Sequence, residues 1–125
     1  MKMKRILVVD DDAQIRKMLR EILEREGFAV VAAANGKDAV SLYQNQPTDL
    51  IITDLIMPER DGVETIMEFM QLNPKAKIIA ISGGGRIGPR DYLEMAEALG
   101  ARRTFSKPFK RQAIVTAIKE LLAEE

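Results

Sequence analysis

Ile6-Leu7-Val8-Val9-Asp10-Asp11-Asp12 is the stretch that decides the fold, because an unbroken apolar run ends abruptly in three acidic residues. Two later stretches, Leu50 to Asp54 and Ile78 to Ser82, have the same form, and the shorter Thr104-Phe105-Ser106 leads into Lys107-Pro108. Short continuous apolar runs are typical of parallel strands that are buried on both faces. The sequence therefore predicts an α/β protein built on a parallel sheet.

The polar residues that end these runs belong to one end of the predicted sheet. In open α/β sheets, ligands bind just beyond the carboxyl ends of the strands. We therefore expect Asp10, Asp11, Asp54, Ser82 and Lys107 to converge in one crevice. Carboxylates, a hydroxyl and an ammonium group in one crevice are suited to handling phosphate.

The composition excludes several kinds of protein. A length of 125 residues fits one domain, so we expect residues 1–125 to form a single domain. Cysteine and histidine are absent, which removes disulfides, thiolate chemistry and the usual zinc ligand. Basic and acidic residues both number 19 and tryptophan is absent, so there is neither the basic surplus nor the stacking surface expected for direct nucleic-acid binding.

The sequence also gives no sign of a membrane partner. No apolar stretch approaches membrane-spanning length. The basic N-terminus is followed by only a four-residue apolar run before the acids, which is unlike a signal peptide. We therefore expect a cytoplasmic protein.

Helical spacing alternates with strand patterns along the whole chain. Asp12 is suited to cap the first helix and Gly27 to end it, while Phe28 to Ala33 predicts a second strand and Lys37 to Asn45 a second helix. Right-handed crossovers in this (βα)₅ order place helices on both faces of the sheet. The predicted apolar faces of the first, third, fourth and fifth helices are Ile15, Met18, Leu19, Ile22 and Leu23; Val63, Ile66, Met67 and Met70; Tyr92, Met95, Ala96 and Leu99; and Ile114, Ala117, Ile118, Leu121 and Leu122.

Three carboxylates, Asp10, Asp11 and Asp54, would share a partly dry crevice. Like charges in such a place destabilise the fold unless a cation joins them. A hard divalent cation such as Mg²⁺ suits a set of oxygen ligands. The alternative is that Asp10 to Asp12 only cap the first helix, where acids favour the helix dipole, but this leaves Asp54 unexplained.

Asp54 is the candidate nucleophile. A carboxylate can attack a phosphoryl group and form an aspartyl phosphate, and positioning and cations supply most of the catalysis. A metal, Lys107 and the Ser82 hydroxyl can each take one phosphoryl oxygen. Taken singly, Ser82 reads as a turn former and Lys107 as a solvated surface residue, so the inference depends on their combination. Both isomers of the Lys107-Pro108 bond are compatible with the sequence pattern.

The sequence resembles the receiver domain of bacterial two-component response regulators from its first strand to its last helix. The motifs that carry the resemblance are Val9-Asp10-Asp11, Thr53-Asp54-Leu55-Ile56-Met57-Pro58, Asp61-Gly62, Ile81-Ser82, Gly100-Ala101 and Lys107-Pro108-Phe109. Each motif is weak alone, but together in this order and at this spacing they are highly specific. The resemblance implies a flavodoxin-like doubly wound fold with strand order 2-1-3-4-5 and a cis Lys107-Pro108 bond.

The resemblance also implies a function. Asp54 would accept a phosphoryl group from a phosphohistidine on a sensor histidine kinase or on a phosphotransferase of a phosphorelay. Mg²⁺ would be held by Asp11, Asp54 and the backbone carbonyl of Ile56, with Asp10 acting mainly through water. Such a domain is not an enzyme in the usual sense, since it catalyses only its own phosphorylation and slow dephosphorylation. It would signal to a separate effector protein through the face around the fourth and fifth helices.

Three features depart from the family pattern. Thr104 stands where the family often has a switch aromatic ring, which turns inward when Ser82 moves toward the phosphate. Thr104 has no ring, which leaves a hydrogen bond from its hydroxyl, or another route, to couple the two positions.

Gly83 to Pro89 is longer and richer in glycine than the usual loop, which predicts a mobile segment. Ile56 and Gly84 occupy positions that influence access of water to the aspartyl phosphate, and an apolar Ile56 predicts slow self-dephosphorylation.

Two other functions are compatible with parts of the sequence. A haloacid-dehalogenase-type phosphatase uses an Asp-x-Asp pattern that Asp10-Asp11-Asp12 fits, with Ser82 and Lys107 in the later motifs. The acidic residues expected after that lysine are missing, however, and Asp54 would have no role. The second alternative is a receiver-like interaction module that binds its partners whatever its phosphorylation state, which the absence of a ring at Thr104 favours.

Overall fold

A computed structural model of the chain describes residues 3–55, 62–83 and 89–124, with side chains described throughout except at residues 89–93. Strands and helices alternate within these ranges, as predicted. The strands are β1 (Arg5–Val9), β2 (Ala29–Ala33), β3 (Leu50–Asp54), β4 (Ile78–Ser82) and β5 (Arg103–Ser106). The helices are α1 (Ala13–Arg25), α2 (Gly36–Asn45), α3 (Gly62–Leu72), α4 (Pro89–Leu99) and α5 (Arg111–Ala123).

The five strands form one parallel sheet in the order β2-β1-β3-β4-β5, which confirms the predicted fold class and topology. The inner strands β1, β3 and β4 are almost completely buried, which explains why they read as continuous apolar runs. In the register of the sheet, Ile51 of β3 aligns with Leu7 of β1 and with Ile78 of β4. The carboxyl ends of the three inner strands therefore lie side by side.

Alternate residues of each strand point to opposite faces of the sheet and so contribute to two separate cores. Leu7 and Val9 of β1 pack with α2, α3 and α4 in one core. Ile6 and Val8 pack with α1 and α5 in the other. None of the helices within the described ranges is long and apolar enough to span a membrane.

Helix α1 begins and ends as the sequence indicated. A carboxylate oxygen of Asp12 accepts a hydrogen bond from the backbone N–H two residues later. At the other end Gly27 has a φ of 92°, which glycine adopts without strain, and the Phe28 N–H donates to the Leu23 carbonyl over 3.0 Å. Because this closing turn uses Phe28, β2 begins at Ala29 and not at Phe28 as predicted.

Three predicted core methionines were assigned wrongly. Met18, Met67 and Met95 lie at the borders of their helices' apolar stripes and are 38%, 47% and 50% exposed. In α3 the buried face is centred instead on Ile66 and Phe69, and the Phe69 ring packs edge-on against the Tyr43 ring of α2 at a centroid distance of 5.3 Å. Periodicity located the helices correctly but not the rotation of each stripe.

Candidate functional site

The carboxyl ends of the inner strands bring together the acidic residues that the sequence singled out. Asp10 follows β1 and Asp54 ends β3, and they are only 2% and 4% exposed, whereas Asp11 is exposed. Asp10, Asp11 and Asp54 each present a carboxylate oxygen within 4.8 Å of the others. Two of the three charges are thus held where water solvates them poorly, and they require a compensating cation.

Lys107 supplies one such cation from the loop after β5. Its Nζ lies 2.9 Å from Asp10 Oδ2 and 3.4 Å from Asp54 Oδ2, although Asp10 is 97 residues away in sequence. The Lys107-Pro108 bond is cis, as the resemblance implied. Burial of the ammonium works against its charge, but the hydrogen bond with Asp10 and the negative charges of Asp54 and Asp10 outweigh this effect and raise the pKa of Lys107.

The backbone around Lys107 is held by its neighbour strand. The Lys107 N–H donates to the Ser82 carbonyl over 2.8 Å, which continues the β4–β5 pairing past the end of β5. The aliphatic stem of Lys107 lies directly over Gly83, where a Cβ would come within 2.5 Å of it. A glycine at this position leaves room for the lysine to reach the acidic residues.

Asp10 is held at every polar atom. Its Oδ1 accepts a hydrogen bond from the Asp12 N–H over 2.9 Å and its Oδ2 accepts from Lys107. Its own N–H donates to the Ala33 carbonyl, and its carbonyl oxygen accepts from Arg16 Nη1 over 2.8 Å. Sequence reasoning missed Arg16, because nothing in its spacing distinguishes it from the other basic residues of α1. To predict the role of Arg16, one would have to know the direction in which its side chain points.

Asp54 is positioned by the end of β3 and the start of α3. The Thr53 hydroxyl donates to the Asp54 carbonyl over 3.1 Å, and the Leu55 N–H donates to the Ile81 carbonyl over 2.9 Å. Gly62 packs so closely against the backbone of Asp54 and Leu55 that an added Cβ would clash with both. The Asp54 side chain therefore extends from a backbone that is fixed on both sides.

Ser82 is fully buried at the end of β4, and its Oγ has no hydrogen-bond partner among the described residues. A buried hydroxyl without a partner costs about 1–3 kcal/mol. The Ser82 hydroxyl is therefore available to a partner that binds beside it. An acceptor oxygen bound next to Asp54 would be such a partner.

Thr104 lies on β5, paired in register with Ala80. Its hydroxyl donates to Glu97 Oε1 of α4 over 3.1 Å. Thr104 thus makes a polar link between β5 and α4. A hydrogen bond from its hydroxyl was one of the two possibilities that the sequence left open for this position. Ile56 and residues 84–88 of the predicted mobile segment lie outside the described residues.

The arrangement offers only oxygen ligands, from three carboxylates beside one lysine. Oxygen-only sets suit hard cations such as Mg²⁺ and Ca²⁺, and they do not suit thiophilic metals. The donors therefore fit the kind of ion that the resemblance implied, and a metal ion can bind in the acidic pocket.

Comparisons with known proteins agree with this geometry. The family model of the response regulator receiver domain matches residues 6–119. The chemotaxis protein CheY of Bacillus subtilis is 39% identical over 119 residues, and that of Thermotoga maritima 36%, each match covering 94% of this chain and 97% of the relative. The sporulation initiation phosphotransferase F of Bacillus subtilis is 31% identical, with 95% of this chain and 94% of the relative covered.

Solved structures give the same result. A CheY-like receiver domain protein from Methanospirillum hungatei superposes with a TM-score of 0.89 at 30% identity, covering 97% of this chain and 94% of that one. A receiver domain protein from Clostridium thermocellum also gives 0.89, at 26% identity and with 96% and 94% covered. This chain belongs to the response regulator receiver domain family and is a phosphoacceptor domain of two-component signal transduction.

Proposed function

We propose that Asp54 is the phosphoacceptor. Lys107 and Ser82 bind the oxygens of the phosphoryl group, and Asp10 and Asp11 help to hold the metal ion. The observation that carries this proposal is the position of the Lys107 ammonium, which lies within 3.4 Å of Asp54 Oδ2 in a pocket with two further carboxylates. The Asp54 carboxylate attacks the phosphorus of a phosphohistidine. A P–O bond forms as the P–N bond breaks, and the histidine nitrogen leaves with the bonding electron pair.

The surrounding groups divide the charge that develops on the phosphoryl oxygens. The Lys107 ammonium takes one oxygen, and the Ser82 hydroxyl, which has no other partner among the described residues, donates to a second. Asp10, Asp11, Asp54 and the carbonyl of Ile56 would hold Mg²⁺, which neutralises negative charge on the phosphoryl group when bound. Because Asp10 already accepts hydrogen bonds at both carboxylate oxygens, we expect it to act through water.

The catalysis is limited to the domain's own phosphorylation and its slow reversal. An apolar Ile56 offers no hydrogen bond to orient an attacking water, so we expect the phosphoryl group on Asp54 to persist for minutes or longer. The decay of the phosphorylated protein, followed by intact mass after removal of the phosphodonor, measures this lifetime. A lifetime of seconds would contradict the argument.

The partners follow from the same proposal. Residues 1–125 act as a single cytoplasmic receiver domain, which takes its phosphoryl group from a sensor histidine kinase or a phosphotransferase. It passes the signal to a separate effector protein through the face around α4 and α5. In support, α4 is linked to β5 through the Glu97–Thr104 hydrogen bond, and β5 precedes Lys107 directly.

A small-molecule phosphodonor tests the chemistry without any knowledge of the kinase. We expect wild type incubated with Mg²⁺ and acetyl phosphate to gain one phosphoryl group by intact mass, and Asp54→Asn to gain none. Asp49→Asn is the matched control, since Asp49 lies at the opposite end of β3, where it accepts a hydrogen bond from the Arg5 N–H. Phosphorylation that survives in Asp54→Asn would overturn the assignment.

A second candidate function is an interaction module that does not depend on phosphorylation. The observation that favours it is the direct Thr104–Glu97 hydrogen bond, which ties β5 to α4 through a residue that has no aromatic ring. Under this alternative, Asp54→Asn would leave the binding of partner proteins unchanged. The haloacid-dehalogenase alternative is disfavoured, because the receiver family model matches residues 6–119 and because that alternative gives Asp54 no role.

A further inference from the structure

We propose that Arg16 is a positioning residue for the acidic pocket. Its guanidinium fixes the peptide unit that joins Asp10 to Asp11 and so sets the direction of the Asp11 carboxylate toward a bound cation. The inference rests on the proposed function, since it concerns how the pocket holds its metal.

Arg16 reaches the pocket from the start of α1. Its side chain is half-buried, and its Nη1 donates to the backbone carbonyl oxygen of Asp10 over 2.8 Å. An arginine side chain is able to pair with a carboxylate in a bidentate bond. Arg16 binds a neutral carbonyl instead, and this leaves the carboxylates available for a cation.

A peptide unit is planar, so holding its oxygen also holds the N–H and both flanking Cα atoms. The Asp10 carbonyl and the Asp11 N–H belong to one such unit. Fixing it restricts ψ of Asp10 and φ of Asp11, and these angles determine where the Asp11 Cα–Cβ bond points.

Asp11 depends on this restraint more than Asp10 does. The Asp10 carboxylate is held by the Asp12 N–H and by Lys107. The Asp11 carboxylate is exposed and, within the part of the chain that the structure describes, accepts no hydrogen bond and forms no ion pair. Its orientation therefore comes from its backbone, and Arg16 holds that backbone.

Helix α1 provides a matched control one turn later. Arg20 Nη1 also donates to a backbone carbonyl, that of Val30 in β2, over 3.2 Å. Replacing either arginine with methionine removes a donor to a carbonyl and leaves an unbranched side chain. Only the Arg16 bond ends at the acidic pocket.

The test compares wild type, Arg16→Met, Arg16→Lys and Arg20→Met in their binding of Mn²⁺, measured from the electron paramagnetic resonance signal of the free ion. Partners that orient metal ligands typically change metal affinity by about 10–100-fold. We expect Arg16→Met to weaken Mn²⁺ binding about tenfold, Arg16→Lys to recover part of the loss, and Arg20→Met to bind as wild type. Circular dichroism of each variant verifies that it is folded.

A second readout separates positioning from general stability. In phosphorylation by acetyl phosphate, we expect the half-saturating Mg²⁺ concentration of Arg16→Met to rise by the same factor as its Mn²⁺ dissociation constant. The rate at saturating Mg²⁺ should fall much less. A purely structural role would lower the melting temperature without moving the half-saturation point.

Two results would overturn the proposal: Mn²⁺ binding by Arg16→Met equal to that of wild type, or an equal loss in Arg16→Met and Arg20→Met. If wild type binds Mn²⁺ but is not phosphorylated, the proposed function fails, and the Mn²⁺ affinities of the variants alone decide the role of Arg16. If wild type binds no Mn²⁺, both fail.

Discussion

The ammonium group of Lys107 contacts two carboxylates of the acidic pocket, and its titration therefore affects the stability of the folded protein. Its pKa in the folded protein is raised above the ordinary value of 10.5, because the gain from Asp10 and Asp54 exceeds the cost of burial. A group with a raised pKa contributes stability fully below its unfolded-state pKa, and that contribution is lost as the pH rises through the folded-state value.

We therefore expect the free energy of unfolding of wild type to fall at alkaline pH more steeply than that of Lys107→Met. Urea unfolding across the alkaline range measures both slopes. Lys75→Met, which changes an exposed lysine, is the control and should keep the slope of wild type. Equal slopes for wild type and Lys107→Met would show that the ammonium is not stabilised by the pocket.

Gly62 is a second residue with a local effect that can be measured. A Cβ there would lie 2.4 Å from Leu55 Cα and 2.5 Å from the Asp54 carbonyl oxygen. Both are backbone atoms, which cannot move aside as the end of a flexible side chain can. Overpacking of this kind costs about 1–3 kcal/mol. We expect Gly62→Ala to be destabilised in that range and to be phosphorylated more slowly, because the clash displaces the backbone of Asp54.

Gly27→Ala is the comparison for Gly62→Ala. A Cβ at Gly27 meets no atom within 4 Å, and the φ of 92° alone opposes the substitution, at a cost of about 1–2 kcal/mol. This variant should lose stability and keep the phosphorylation rate of wild type. If Gly62→Ala also kept that rate, the close contact would be shown to have no effect on Asp54.

Helices α1 and α5 are joined by two ion pairs that Glu26, the residue after α1, makes with residues of α5. Glu26 Oε1 lies 2.7 Å from Lys119 Nζ and Oε2 lies 4.0 Å from an Arg111 nitrogen, both on α5. The hydrogen bond and charge of Lys119, followed by the charge of Arg111, lower the pKa of Glu26 below 4.5, and burial opposes them only in part. A lowered pKa contributes stability above the unfolded-state value, which is lost as the pH falls through the folded-state value.

We expect the stability of wild type and of Glu26→Gln to differ at neutral pH and to converge in acid. Denaturant unfolding at a series of acidic pH values measures the difference. Glu24→Gln is the matched control, because Glu24 forms its ion pair within α1, with Arg20 at 3.7 Å. A gap that persists at low pH would point to lost packing rather than to the ion pair.

The elements were predictable from the sequence to the extent that burial leaves a pattern. Continuous apolar runs identified the inner strands, and Asp12 and Gly27 marked both ends of α1 because caps use specific residues. The exposed Met67 and the buried Phe69 were not separated, because periodicity alone does not fix which residues lie at the centre of a stripe. That choice depends on where the neighbouring helix packs.

For the whole molecule, topology made the site predictable. A parallel sheet places all strand ends together, so residues at strand ends had to meet, and the contact of Lys107 with Asp10 and Asp54 confirms it. The Arg16 bond to the Asp10 carbonyl was beyond prediction, and for Thr104 the sequence offered a hydrogen bond as one possibility but not its partner, Glu97. Both depend on side-chain directions that are decided only when the helices have packed on the sheet.

Three features on one side of the molecule suggest how phosphorylation at Asp54 would spread. Ser82 has a buried hydroxyl with no partner among the described residues, β4 pairs with β5, and β5 is tied to α4 through Thr104 and Glu97. A phosphoryl oxygen next to Asp54 would draw the Ser82 hydroxyl toward it and bias the equilibrium between two arrangements of this region. Within the described ranges, no side-chain hydrogen bond links α2 to a strand of the sheet.

We therefore expect phosphorylation to change amide hydrogen exchange mainly in residues 94–106, with much smaller changes in β2 and α2. Hydrogen exchange with mass spectrometry, before and after acetyl phosphate with Mg²⁺, measures this, and Asp54→Asn treated identically supplies the baseline. Thr104→Val keeps the shape of the side chain and removes the hydroxyl that bonds Glu97. If that bond carries the change, the response of residues 94–99 should shrink in Thr104→Val while phosphorylation itself is unaffected. A response in α4 of the same size as in wild type would show that the signal reaches α4 without Thr104.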